Sequence, residues 1–383
     1  MKIKQLDVKG FRSLKDVSWR PGDLNVVIGQ NGTGKSNLLR VFEVIAASAH
    51  GRLSKHIQAA GGMGAIVWDG VAPSIFIRLA FEELNHEYEI ELSRIGKSSS
   101  YRVQRESLTG SEFWIREGQV STKHIERIDG QDFYRYLPFE QLTKKDASQE
   151  ETLLSIPFPI NSDITAFREG LNQIAVYHDL NVGQDSPIRQ PAIARFEKRV
   201  DPDGKNLVPV LHTLYSEDRE FKRDMDSAMR AAFGDDYEEL VFPPAADQRV
   251  QLRVRWRTLK REQSAADLSD GTLRFLLLLT VLNAPDPPML IAIDEPETGL
   301  HPAMMSIIAE YAVEAATRTQ LVFTTHSAQF LDAFTENKPT TTVATWENGE
   351  TTLHTLEGED LAYWLEDYSL GYLFKSGQLE AMT

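Results

Sequence analysis

The feature that most constrains this chain is the stretch Gly29-Gln30-Asn31-Gly32-Thr33-Gly34-Lys35-Ser36. It lies between a short apolar run, Leu24 to Ile28, and a segment in which Leu38, Leu39, Val41, Phe42 and Ile45 recur at helical spacing. A glycine-rich turn of this pattern between a buried strand and a helix wraps phosphate oxygens in backbone N–H groups, helped by the positive end of the helix. Lys35 then reaches the β- and γ-phosphates and the Ser36 hydroxyl binds Mg²⁺, with Asn31, Gly32, Thr33, Gly34 and Asn37 completing the phosphate-binding set. Mg²⁺-ATP is the ligand this loop predicts.

Two further motifs agree with it. Met289 to Ile293 is an apolar strand that runs into Asp294 and Glu295. Carboxylates at such a strand end suit metal holding, by Asp294, and polarisation of an attacking water, by Glu295. Upstream, Leu268-Ser269-Asp270-Gly271 opens a strongly apolar helix, with Ser269 placed to cap it and Gly271 small enough for backbone N–H groups to approach an anion.

Ser269 stands 25 residues before Asp294, and at this point the chain resembles the ABC-type ATPases. Leu268-Ser269-Asp270-Gly271 is similar to their signature loop, although Asp270 and Thr272 stand where many relatives have glycine and glutamine. Pro296-Glu297-Thr298-Gly299-Leu300-His301-Pro302 resembles the D-loop of the RecF-, SMC- and OLD-like members, and Thr324-Thr325-His326-Ser327 resembles their switch-histidine segment. The resemblance implies an ABC-ATPase head of α/β class, with a P-loop parallel sheet, a flanking antiparallel β-subdomain and a compact helical lobe. It also implies that Ser269 and Gly271 contact ATP held by a second copy of the chain, and that His326 senses the γ-phosphate. Arg12, within Val8 to Leu14, is either the basic residue these ATPases keep near the nucleotide or a solvent-facing turn residue. The glutamine that couples nucleotide to the helical lobe is left among Gln149, Gln173 and Gln190.

The rest of the chain bounds the role. Of its 383 residues 42% are hydrophobic, none is cysteine, and the net charge is −15. This amounts to a sizeable core with no thiol chemistry and no long-range attraction for a polyanion. No basic-then-apolar leader and no membrane-length apolar run occur, so a cytoplasmic protein without membrane contact is expected. The motifs suggest an N-terminal lobe at 1–117, a mostly helical lobe at 118–247 and a C-terminal lobe at 248–383. About 150 residues separate Arg116 from Leu268 without sustained heptads, so no coiled-coil arm is expected. Arg253, Arg255 and Arg257 would share one face of a strand, there to contact DNA or RNA phosphates or an acidic partner, or to be balanced by Glu238, Glu239 and Glu262. Beyond His326 there are 57 residues, short for a Toprim nuclease domain of about 100. Glu359, Asp360, Glu366 and Asp367 there are expected on the polar face of a helix that buries Leu361, Trp364 and Leu365.

The tail Leu370 to Gly377 and the segment Gly204 to Leu207 resemble a group of bacterial stand-alone ATPases, in a class that works in DNA repair and antiphage defence. The leading expectation is an ATP-gated homodimer. The alternatives are a module that regulates a separately encoded effector such as a Toprim-type nuclease, and an ATP-driven DNA clamp.

Overall fold

The computed structural model describes residues 1–82, 86–96, 99–116, 119–128, 131–135, 140–141, 148–156, 162–334, 337–356 and 368–381. The residues from Glu359 to Asp367 expected to form an amphipathic helix lie outside this set. The chain divides into two compact units, Met1–Val176 with Thr340–Glu357, and Tyr177–Pro339 with Gly358–Ala381.

In the first unit, Leu24–Ile28 is a strand buried at every position, apolar except for Asn25, whose side chain is matched by the Gly22 backbone. It pairs in parallel with Thr340–Glu347, which turns back antiparallel into Glu350–Thr355. The turn between them is Asn348-Gly349, both with positive φ, the pairing that a tight hairpin favours. Beside these lies an eight-stranded antiparallel sheet, in the order Leu14–Trp19, Ile3–Phe11, Ser74–Phe81, Glu87–Arg94, Tyr101–Arg116, Gln119–Ile128, Gln131–Arg135, Glu140–Gln141. Ser74–Phe81 buries every second residue, the period of a strand with one face on a core.

A buried carboxylate fastens the next segment to this sheet. Glu106, wholly buried, accepts hydrogen bonds from the Leu153 and Leu154 amides at 2.5 and 2.9 Å and from the Tyr88 hydroxyl at 3.0 Å. Burial nonetheless pushes its pKa above the usual carboxylate range. The antiparallel sheet thus runs well past Gly118, where a mostly helical stretch was expected. Helices take over only at Ser162–Asn172, then Leu207–Glu217 and Arg219–Phe233. The polar, alternating strands between 119 and 135 read as helix-compatible in isolation and gain their strand state from neighbouring strands.

In the second unit, Leu290–Asp294 and Gln320–Thr325 pair in parallel, with Asp294 opposite Thr324. Asp270–Leu282 buries every residue from Thr272 to Leu282, as suits a helix that is apolar all round. Pro302–Ala316 begins with proline in its first turn and His301 as cap, the ring nitrogen accepting from the Ala303 amide at 3.2 Å. No helix among the described residues is long and apolar enough to cross a membrane.

The basic strand differs from expectation. It is broken into Arg249–Val250 and Arg253–Trp256, which belong to different three-stranded sheets, and Arg257 falls beyond the second piece. Arg255 pairs with Glu239 and, at 2.7 Å, with Glu262, while Arg253 lies 3.8 Å from Glu262. Of the two readings open in the sequence, the structure displays the balanced strand face.

Candidate functional site

The phosphate loop of the first unit is held from three sides. Thr33 donates its hydroxyl to Gln30 O at 2.9 Å, and Lys35, only 6% exposed, donates to Gly29 O and Gln30 O at 2.7 and 2.9 Å. Asn37 donates to the Ser13 hydroxyl at 2.8 Å, and the Thr351 hydroxyl lies 2.7 Å from both Ser13 Oγ and Thr33 O. Gly34 has φ 95°, and a Cβ there would strike the hydroxyls of Thr351 and Ser13, so conformation and space both demand glycine. At Gly32, by contrast, nothing stands within 4 Å of where a Cβ would be, leaving that side of the loop open. Ser36 follows Lys35 in the first turn of the 15-residue helix Lys35–Ala49, and Asn31 is exposed.

Ser13 and Thr351 escaped the sequence reading. The Asn-Gly turn could have revealed the hairpin that carries Thr351, but no local pattern says that this hairpin meets the loop.

Arg12, one residue before Ser13, adopts φ 48°. With Arg40, Glu43 and His56 it lines a cavity of about 240 Å³ in the first unit. Burial, and then the charge of Arg40, hold its pKa below the usual arginine value.

The second unit gathers the acids. Asp294 accepts from the Thr324 hydroxyl through one oxygen, and its other oxygen lies 3.1 Å from His178 Nδ1. Glu295 has φ 46°, uncommon for a residue with a side chain. Its amide donates to Thr324 O at 3.0 Å, its carboxylate lies 3.0 Å from His326 Nδ1, and its carbonyl accepts from Arg274 at 3.0 Å. Glu297 is buried, accepts from the Thr325 hydroxyl, and is pushed above the usual carboxylate range by that burial. The segment Thr324-Thr325-His326-Ser327 thus serves four partners in succession, as Thr324 holds Asp294, Thr325 holds Glu297, His326 faces Glu295, and Ser327 caps the helix Ala328–Asp332.

The signature loop belongs to the same unit. Ser269 caps its helix as expected, accepting from the Thr272 amide at 3.1 Å. A Cβ at Gly271 would come within 2.6 Å of Gly299 O, so this glycine also permits close packing of the helix start on the D-loop. Arg189, with a side chain 5% exposed, donates to Ala265 O and Leu268 O at 3.1 and 2.7 Å and pairs with Asp270. Its neighbour Gln190 makes no described contact with the acids of this unit, and His178 does; Gln149 and Gln173 belong to the first unit. His178 and Arg189 were not found from sequence, because an isolated histidine or arginine carries no periodic or motif signal; Thr324 was read only as part of the switch-histidine segment, not as a partner of Asp294.

Chemically, the second unit offers a carboxylate at a strand end beside a second carboxylate paired with a histidine, while the first offers a glycine-rich loop that opens into a helix. The hydroxyl of Ser36 in the first unit and the carboxylate of Asp294 in the second are each hard oxygen donors of the kind that Mg²⁺ takes.

Comparison with known proteins gives the same class. No curated protein matches the chain significantly. Among solved structures, the chain is similar to an SMC head bound to the C-winged helix domain of ScpA, with TM-score 0.55 and 14% identity over 95% of this chain and 100% of that one. It is also similar to an SMC head with an extended coiled coil bound to the C-terminal domain of ScpA derived from Pyrococcus furiosus, with TM-score 0.54 and 14% identity over 96% and 99% of the two chains. At this identity the likeness establishes the fold. A family model described as "AAA domain, putative AbiEii toxin, Type IV TA system" matches residues 24–332, and the chain belongs to that family, a P-loop ATPase with the SMC/RecF-like ABC-type head fold.

Proposed function

We propose that the chain binds and hydrolyses Mg²⁺-ATP and uses the nucleotide to gate association with a second copy of itself. The observation that carries this reading is the cluster at the end of Leu290–Asp294, where Glu295 leaves the strand in a constrained backbone and faces His326 directly after Asp294. In this reading Asn31, Gly32, Thr33, Gly34, Lys35 and Asn37 bind the phosphates and Arg12 lies near the nucleotide. Ser36 and Asp294 supply the oxygens for Mg²⁺, which when bound offsets phosphate charge. Glu295 takes the proton of the attacking water, and His326 holds Glu295 oriented and registers the γ-phosphate. Ser269 and Gly271 act on ATP carried by the partner copy.

Substituting Glu295→Gln tests it. Turnover is expected to fall by a factor of about 10² or more, with an ATP-stable dimer visible by light scattering. Unchanged turnover, or no ATP-dependent dimer, would overturn the mechanism.

A second reading has support of its own, namely control of a separate effector in defence or DNA repair. The family description names a toxin of a toxin–antitoxin system, and both solved heads are bound to domains of another protein. Strong stimulation of hydrolysis by a co-purifying protein is the result this reading expects; robust turnover alone, with no partner recovered, counts against it. The DNA-clamp reading loses its main support, since Arg253 and Arg255 are engaged by Glu239 and Glu262.

A further inference from the structure

A short segment, His178 to Arg189, touches the acids at its start and the start of the signature helix at its close. At its start His178 Nδ1 stands 3.1 Å from Asp294 Oδ2. At its close Arg189 directs its guanidinium at the carbonyls of Ala265, Ala266 and Leu268 and at the Asp270 carboxylate. The segment between is stiffened by its own hydrogen bonds. Ser186 donates its hydroxyl to Asn181 O at 2.5 Å and its amide to Gly183 O at 2.9 Å, and Arg189 Nε donates to Val182 O and Gly183 O at 2.9 and 3.0 Å.

Burying a guanidinium this deeply is tolerated only where its donors are matched, and here the acceptors are carbonyls of its own segment, those of Ala265 and Ala266 just before the signature loop, and Leu268 O and the Asp270 carboxylate within it. Asp270 itself is 64% exposed on its side chain. An exposed acid at the start of the helix that is to approach a phosphate would repel it; paired with Arg189, its charge is offset. The connection also returns to the acids, since Arg274 of the signature helix donates to Glu295 O. His178, Arg189, Asp270 and Arg274 therefore close a circuit around Asp294 and Glu295.

We propose that His178 and Arg189 are positioning residues that link the metal-side carboxylate Asp294 to the signature loop, so that the state of one end sets the geometry of the other. The inference rests on the ATPase reading above, and it assigns coupling to His178 and Arg189 in place of Gln149, Gln173 or Gln190.

The test uses the full chain with Mn²⁺ as probe, a non-hydrolysable ATP analogue, Mn²⁺ affinity by electron paramagnetic resonance, and self-association by light scattering. Because Arg189 is buried and its loss could unfold the protein, the variants are His178→Gln, the exposed Asp270→Asn and the double variant, each compared with wild type by circular dichroism. His178→Gln is expected to weaken Mn²⁺ binding about tenfold, as losing an outer-shell partner does, and also to weaken analogue-dependent self-association. Asp270→Asn should lower Mn²⁺ affinity several-fold despite its distance along the chain, and the double variant should be no worse than the stronger single. If each substitution affects only its own end, or their effects multiply, the link is refuted while the ATPase reading stands. If wild type binds no analogue or fails to self-associate with it, the ATPase reading fails and takes the link with it.

Discussion

Glu295 shows how much can depend on one residue. Its left-handed backbone is a conformation that costs on the order of 1 kcal/mol, held by the Thr324 carbonyl on one side and Arg274 on the other. Glu297 two residues on is a different case, a buried carboxylate whose pKa is raised by desolvation. A raised carboxyl pKa means that the folded state binds more protons, so stability falls as pH rises through the window from the unfolded value up to the folded one. Glu297→Gln is therefore expected to raise the melting temperature at pH 8, with the gain vanishing toward pH 4; a stability difference independent of pH would contradict this. Gly34→Ala makes the opposite kind of prediction. A Cβ facing Thr351 and Ser13 at φ 95° should abolish binding of a fluorescent ATP analogue in titration, and retained affinity would show that the loop is less constrained than its contacts imply.

Elements are joined here by buried polar side chains as well as by apolar packing. Glu106 ties the Leu153-Leu154 amides and Tyr88 into one cluster, so Glu106→Leu would leave three buried donors unpaired at a cost of about 3 kcal/mol or more. Chemical denaturation should show this as a lower midpoint; a midpoint within error of wild type would mean that the segment repacks. The strands that carry motifs could be read from composition alone, because Leu24–Ile28 and Leu290–Ile293 are buried on both faces and, Asn25 apart, apolar. The strands from Gln119 to Arg135 could not, since they have no apolar run and take their state from the ladder they form with the strands on either side. The end of the basic strand was equally hidden: alternation of arginine with apolar residues continues through Arg257, while the pairing with Tyr237–Val241 ends at Trp256.

For the whole molecule, a charge of −15 and a basic strand already committed to Glu239 and Glu262 leave little to attract nucleic acid by electrostatics alone. Charge reversal at Arg253, Arg255 and Arg257 is accordingly expected to leave affinity for duplex DNA within about twofold in fluorescence anisotropy, exposed pairs of this kind contributing little; a loss of tenfold or more would restore the clamp reading. No helix among the described residues exceeds the 15 residues of Lys35–Ala49, Arg219–Phe233 and Pro302–Ala316.

By itself the sequence determined the phosphate loop, the acid pair after Leu290–Ile293, the capped start of the signature helix and the α/β class. Each of these is written in contiguous residues whose local chemistry suffices: glycines where backbone must turn, apolar runs where strands are buried, a serine where a helix begins. Only the tertiary structure decided what holds those motifs in place. Thr351 reaches the phosphate loop, His178 and Thr324 reach Asp294, and Arg189 reaches the signature loop across separations from 30 to 318 residues. Such contacts are set by how strands and loops are brought together, and a lone threonine, histidine or arginine carries no trace of its partner in the chain around it.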